Sequence, residues 1–331
     1  MNTWCAEAYE LVRGDLAEID RTLLAVADTD VEPLCTVCRE VLASGGKRIR
    51  PALLALASRA TGGSGYEPDG AVTLLGAAVE AVHVASLLHD DVVDGAALRR
   101  GRTTANAVWG DSISIFAADY LFAAVFAALA SPANVALLRY LSHAVVRMCE
   151  AEVLQARSSH DSSVREECYL RIIEGKTAAL MSAACRIGAL LGGADGAVAE
   201  ALATYGRSFG IAFQMTDDLL DLTGAASEVG KAPGADIRSG YFTLPLIRLR
   251  DGLSGPDLGK FHTVTSRGSD LSDDDMRWLT EAASAAGVIE ECTGIAAAAA
   301  EQAIDALSPL AASPASEALA ALARGLVHRR G

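Results

Sequence analysis

Basic residues are scarce in this chain: 28 lysines and arginines stand against 42 aspartates and glutamates, a net charge of -14. So acidic a surface repels polyanions in bulk, which argues against nucleic acid and anionic membrane as partners. It would also repel a phosphorylated substrate unless metal ions or a local basic cluster intervene. Prolines number only 9 and aromatics make up 5% of the chain, while alanine and leucine are abundant, a balance that favours helix. A run of about 18 uninterrupted apolar residues is missing. The apolar region 113–138 is broken by Asp119 and Pro132, so no membrane span is expected. The start, MNTWCAEAYELVRGDL, has no basic n-region and is not expected to be a signal peptide. The seven cysteines are scattered, and Cys35 and Cys38 form a single CxxC with no second pair or finger-spaced histidine. That excludes a zinc finger and leaves reduced thiols in a cytoplasm as the expectation.

What the chain does have is apolar material: hydrophobic residues are 51% of its 331 residues and charged ones 21%, a globular composition. Helical periodicity recurs over 4–27, 32–43, 51–60, 70–93, 111–130, 133–157, 164–192, 196–223, 242–250, 274–286, 289–307 and 315–328. Breaks are expected at the Gly/Pro/Ser clusters 61–70, 131–134, 227–240 and 252–259. No stretch alternates with period two for long enough to be a strand. The expectation is one all-α domain over 1–331, a large bundle of ten or more helices. Helices of 20–28 residues run about 30–40 Å, enough to enclose a central cavity.

Two acidic motifs punctuate this apolar background. LLHDDVVDG carries Asp90, Asp91 and Asp94; QMTDDLLDLTG repeats the spacing with Asp217, Asp218 and Asp221, 217 − 90 = 127 residues later. Positions four apart share one helix face, and like charges there destabilise the helix. The arrangement makes sense if a hard cation bridges them, and magnesium prefers carboxylate and phosphate oxygens. A solvated acidic patch is the plain alternative for one copy. It is a poorer account of two copies, each directly after an apolar run (VASLL, IAFQM). Basic groups lie near in sequence: Lys47, Arg48 and Arg50 in GGKRIRP, Arg99 and Arg100 in LRRG, Lys176 and Thr177 in EGKTAAL, and Lys231 in GKAPGAD. Arginine forks and lysine point charges suit diphosphate oxygens.

Residues 45–51, 83–110, 174–180 and 209–247 together resemble the trans-isoprenyl diphosphate synthases, or polyprenyl synthetases, in the same order over roughly residues 30–250. The resemblance implies the all-α isoprenoid synthase fold, a homodimer, and head-to-tail condensation of isopentenyl diphosphate with an allylic diphosphate using three Mg²⁺. Carried over by position, Asp90 and Asp94 resemble the ligands of two metals and Asp217 that of the third, with Asp91, Asp218 and Asp221 assisting. Lys47, Arg50, His83 and Arg100 match isopentenyl diphosphate positions; Arg99, Lys176 and Lys231 match allylic diphosphate positions. Thr177 and Gln214 match positions that steady the cation. One departure is plain: where many members read GK-x-TLP, this chain reads GYFTLP, with Tyr241 in place of the lysine.

Residues before the first motif are expected to wall the tunnel that receives the growing chain. A helix turn rises about 5.4 Å, near the roughly 5 Å of an extended isoprene unit. Ser86, Ala85 and Val82 are small and non-aromatic there, which points to a product beyond fifteen and in all beyond twenty carbons. Phe122 and Phe126 are candidates for a floor. His89 is expected to hydrogen-bond a carboxylate rather than ligate metal. The run SDLSDDDM is expected to be a solvated helix start, and Arg329 and Arg330 are candidates to fold over the diphosphates or to cap a helix end. Three further readings stay open beside the long-chain synthase: a geranylgeranyl diphosphate synthase, a terpene cyclase on the same scaffold, and a non-catalytic subunit of a heteromeric synthase.

Overall fold

The computed structural model describes residues 6–63, 69–99, 101–131, 134–224 and 234–327. Arg100, Lys231, Arg329 and Arg330 lie outside these described residues. Seventeen α-helices make up most of the described chain: α1 (Ala6–Leu11), α2 (Arg13–Val26), α3 (Leu34–Ala43), α4 (Ile49–Thr61), α5 (Gly70–Val93), α6 (Ala105–Trp109), α7 (Asp111–Leu129), α8 (Val135–Ser158), α9 (Glu166–Ile173), α10 (Ala179–Leu191), α11 (Gly196–Thr223), α12 (Ala235–Arg238), α13 (Leu244–Gly252), α14 (Gly255–Thr265), α15 (Asp273–Ala285), α16 (Val288–Asp305) and α17 (Pro314–Val327). The all-α expectation is met. The exception is a two-residue antiparallel hairpin, β1 (Leu98–Arg99) with β2 (Arg102–Thr103), too short for any period-two pattern to announce it.

The two long helices that matter most are started by their own caps. The Asp69 carboxylate accepts the N–H groups of Ala71 at 2.9 Å and Val72 at 3.4 Å, opening α5. Asp195 accepts from Val198 at 2.9 Å and opens α11, and Gly224, in the left-handed region at φ 73°, ends it. With 24 and 28 residues these helices run about 36 and 42 Å. Three buried apolar clusters hold the bundle. One joins α2, α3, α5, α7, α8 and α10; a second joins α1, α4, α10, α11, α16 and α17; a third joins α9, α11, α13, α14, α15 and α16. Helix α11 shares the second and third clusters, so it is fixed on both sides.

The structure departs from the sequence reading in particular places. The stretch 4–27 is two helices, broken at the fully buried Val12. The cluster 252–259, read as a break, starts α14: a proline in the first turn lacks an N–H that would have had no partner there anyway. The stretch 164–192 is continuous but interrupted by a π-helical turn, Glu174–Ala178. The 269–276 run does open a helix, with a reciprocal capping box between Ser272 and Asp275. Both α5 and α7 are long and apolar enough to cross a membrane by length and composition; two thirds of the most apolar stretch of α5 is buried inside the protein, against one third for α7.

Candidate active site

One cavity of about 1180 Å³ collects both acidic motifs, larger than the roughly 300–1,000 Å³ of ordinary ligand pockets. Asp90, Asp91 and Asp94 enter it from the end of α5, and Asp217, Asp218 and Asp221 from α11. Lys47, Arg50, His83, Arg99, Lys176, Thr177 and Gln214 line the same space. Of the chain-length candidates Ser86 lines it, whereas Ala85 and Val82 are fully enclosed in the first core cluster. Phe122 and Phe126 are outside the lining; the Phe122 ring lies 6.1 Å from the His89 ring, tilted by 30°, and His89 Nε2 lies 3.4 Å from Asp119.

The π-helical turn presents Lys176 and Thr177. It is squeezed between two helices: a Cβ on Gly175 would come within 2.6 Å of the Arg147 carbonyl on α8, and one on Gly210 of α11 within 2.6 Å of the Ala178 backbone. Extra residues inserted into a helix turn re-aim side chains, and such bulges recur at functional sites. Lys176 Nζ reaches 3.0 Å to Glu152, 2.9 Å to Gln155 and 3.6 Å to Asp90. Thr177 donates to Gln214 Oε1 at 2.7 Å, Gln214 Nε2 donates to Asp218 at 2.9 Å, and the Tyr169 hydroxyl donates to the other Asp218 oxygen at 2.7 Å. Arg99 Nε donates to Asp91 at 2.7 Å. Asp221 accepts the backbone N–H groups of Ala235 and Asp236, both at 3.1 Å. The Tyr241 hydroxyl donates to Asp94 at 3.0 Å.

Arg48 does something different from its neighbours in GGKRIRP. It adopts φ 47°, and its guanidinium is spent on Asp20 at 2.9 Å, on the buried Glu80 at 2.8 Å and on the Leu42 carbonyl at 2.9 Å. That pins the loop to α5 and sets Lys47 and Arg50 along the cavity wall.

The electrostatics are those of a site short of positive charge. Burial raises the Asp90 carboxyl above its ordinary value, against the pull of Lys176 and Arg99. Burial, then Asp90, does the same to Glu152. Burial pushes Asp218 up to about 7 despite its two hydrogen bonds. Lys176 is lowered by burial but raised more by Asp90 and Glu152, so it stays cationic. Burial and then the nearby Asp94 lift the Tyr241 phenol, so it stays protonated. Buried carboxylates held above their usual range gain from any cation that arrives. Every donor is a hard oxygen, as magnesium requires. Among the described residues no three acidic, histidine or cysteine side chains converge on one point. The donors therefore fit cations shared with diphosphate oxygens, magnesium's habit, rather than an all-protein cage.

Glu152, Gln155 and Tyr169 escaped sequence reasoning. Glu152 and Gln155 lie among other polar residues of α8 and Tyr169 on the short α9, and only the tertiary fold brings them to the motifs.

Known proteins match this architecture. The family model for polyprenyl synthetases matches residues 31–260. The octaprenyl diphosphate synthase of Escherichia coli strain K12 is 39% identical over 238 residues, 72% of each chain. The nonaprenyl diphosphate synthase of Mycobacterium tuberculosis is 34% identical over 259 residues, 76% of this chain and 74% of that one. The solved polyprenyl synthase of Caulobacter crescentus, complexed with calcium and isoprenyl diphosphate, superposes with a TM-score of 0.90 at 36% identity, covering 99% of this chain and 98% of that one.

Proposed function

The chain belongs to the polyprenyl synthetase family, and from that premise we propose that it joins isopentenyl diphosphate head-to-tail to an allylic diphosphate, giving a polyprenyl diphosphate longer than twenty carbons. The observation that carries this is the single cavity into which α5 and α11 deliver two aspartate motifs beside Lys176 and Arg99. The relatives named above make octaprenyl and nonaprenyl products, which supports the long chain.

Magnesium, three ions per site, would be held by Asp90, Asp94 and Asp217 with Asp91, Asp218 and Asp221 in support, and would supply Lewis-acid charge to the leaving diphosphate. The chain's own groups do the rest. Lys176 and Arg99, with Lys231, bind the allylic diphosphate; Arg99 gives one N–H to Asp91 and keeps the remainder of its five donors for phosphate oxygens. Lys47, Arg50, His83 and Arg100 hold isopentenyl diphosphate, and Arg48 fixes the segment that carries Lys47 and Arg50. As the allylic C–O bond breaks, positive charge develops on carbon. The Thr177 hydroxyl gives its hydrogen to Gln214, so its oxygen is an acceptor dipole beside that charge. The double bond of isopentenyl diphosphate then attacks, and the released diphosphate takes the proton lost in the last step.

We further propose a cytoplasmic homodimer. On α8, Val135, Val146 and Val153 are 59%, 54% and 60% exposed, and their spacings of 11 and 7 residues place them on one stripe. Phe116 on α7 is 63% exposed. A second copy covering these faces accounts for them. The six described cysteines are all free thiols, which suits a reducing compartment.

The test is incorporation of labelled isopentenyl diphosphate into allylic products with and without Mg²⁺. Condensation that needs both substrates and stops with chelator supports the proposal. A hydrocarbon or alcohol made without isopentenyl diphosphate would replace it with a cyclase, and a chain inert alone would be a subunit.

A further inference from the structure

We infer that Tyr241 is a positioning residue that orients the Asp94 carboxylate and ties the first aspartate motif to the second across the cavity mouth. The inference rests on the reading of both motifs as cation sites. Asp94 is the C-cap of α5, exposed, at the end of the helix where the dipole disfavours a negative charge. Without a partner its side chain would sample several rotamers. The Tyr241 hydroxyl, from a residue 147 positions away, donates to its Oδ1 at 3.0 Å. A phenol donates one hydrogen and carries no charge. It therefore fixes the carboxylate while using one of about four lone-pair sites and leaving the negative charge in place for a cation.

The phenol is itself held firmly. Tyr241 N–H donates to the Asp236 carbonyl at 2.8 Å, and Asp236 N–H donates to the Asp221 carboxylate at 3.1 Å. Gly234 N–H donates to the Asp221 carbonyl at 3.0 Å. On the other side, His160 N–H donates to the Gly240 carbonyl at 2.8 Å, and Ser159 Oγ donates to the Ser239 carbonyl at 3.1 Å. The His160 ring fills the space where a Cβ on Gly240, at φ 78°, would stand, 2.5 Å away. A continuous run of hydrogen bonds thus leads from Asp221 on α11, through residues 234–241, to Asp94 on α5. Lysine at 241 would act differently: its point charge would neutralise Asp94 rather than orient it.

The test is Mn²⁺ binding followed by electron paramagnetic resonance, with inorganic diphosphate present and no substrate, so that no turnover is needed. Tyr241→Phe is expected to weaken Mn²⁺ binding on the order of three- to tenfold, the typical net worth of one hydrogen bond, since this one is exposed to solvent. Melting temperature and, at saturating Mg²⁺, the KM for the allylic diphosphate should hardly change. Tyr241→Lys should not restore Mn²⁺ affinity. In an Asp94→Asn background, Tyr241→Phe should add nothing further. Unchanged Mn²⁺ binding in Tyr241→Phe would overturn the inference, as would a raised allylic KM with unchanged Mn²⁺ binding, which would make the hydroxyl a substrate contact. Additive effects of the two substitutions would overturn it too. Wild-type protein that binds Mn²⁺ but condenses nothing refutes the proposed reaction and leaves this inference standing; wild-type protein that binds no Mn²⁺ removes the cation reading and the inference together.

Discussion

Replacing Ser86 by phenylalanine should cut the product short. Ser86 sits on α5 four residues before Asp90, about 6 Å along the helix axis. Its side chain is half-buried on the cavity wall, and its hydroxyl is turned back onto the His83 carbonyl at 2.8 Å, so it holds no place for a substrate group. A chain of more than twenty carbons is more than roughly 20 Å long at about 5 Å per unit, several times the 6 Å rise. A product growing along α5 must therefore pass Ser86, and a phenyl ring there obstructs it. Forcing extra methylenes past a filled wall costs about 1–3 kcal/mol, which shifts the partition between elongation and release roughly five- to 150-fold. The assay is chain-length analysis of the dephosphorylated products by liquid chromatography and mass spectrometry. Ser86→Phe should stop at twenty carbons or fewer with a nearly unchanged melting temperature. Ala85→Phe is the contrast, since Ala85 is enclosed in the core and a larger side chain there strains packing and lowers the melting temperature. Wild-type product length from Ser86→Phe would show that the chain leaves the cavity by another wall and would refute this reasoning.

Asp90→Ala and Asp217→Ala should each abolish condensation while circular dichroism and melting temperature stay near wild type; substantial turnover in either would remove the metal assignment. Arg48→Met strands the buried Glu80 carboxylate that it pairs at 2.8 Å, and a cost of about 3–5 kcal/mol in urea unfolding is expected; a loss under about 1 kcal/mol would mean the ion pair is incidental. In chelator, Asp218 should make stability fall as pH rises: its folded value of about 7 lies above the ordinary 3.8, so between those values the folded state keeps a proton that the unfolded chain has released. Thermal melts across that window should show Asp218→Asn gaining on wild type toward pH 7, and a difference that does not vary with pH would contradict the buried-carboxylate account.

Much of this was legible in the sequence because its signals are local. The four-residue aspartate spacing and the long apolar periodicities of α5 and α11 are written within single elements. The rest depends on tertiary context. The π-helical turn at Glu174–Ala178 has a helical composition, and only its close packing on Arg147 and against Gly210 marks it. Proline 256 looked like a breaker and opens α14, because proline permits a first turn as readily as it forbids a later one. Arg48 and Arg50 are two residues apart and look alike as charges; only the placement of Asp20 and Glu80 assigns Arg48 to structure. Ala85 and Ser86 are likewise neighbouring small residues that only the folded helix separates, core for one and cavity for the other.

The most direct test of the central claim is to incubate the purified protein with Mg²⁺, labelled isopentenyl diphosphate and, separately, ten-, fifteen- and twenty-carbon allylic diphosphates, and to measure product length. The account predicts condensation and products beyond twenty carbons. No condensation with any primer, or products that all end at twenty carbons or fewer, would contradict it.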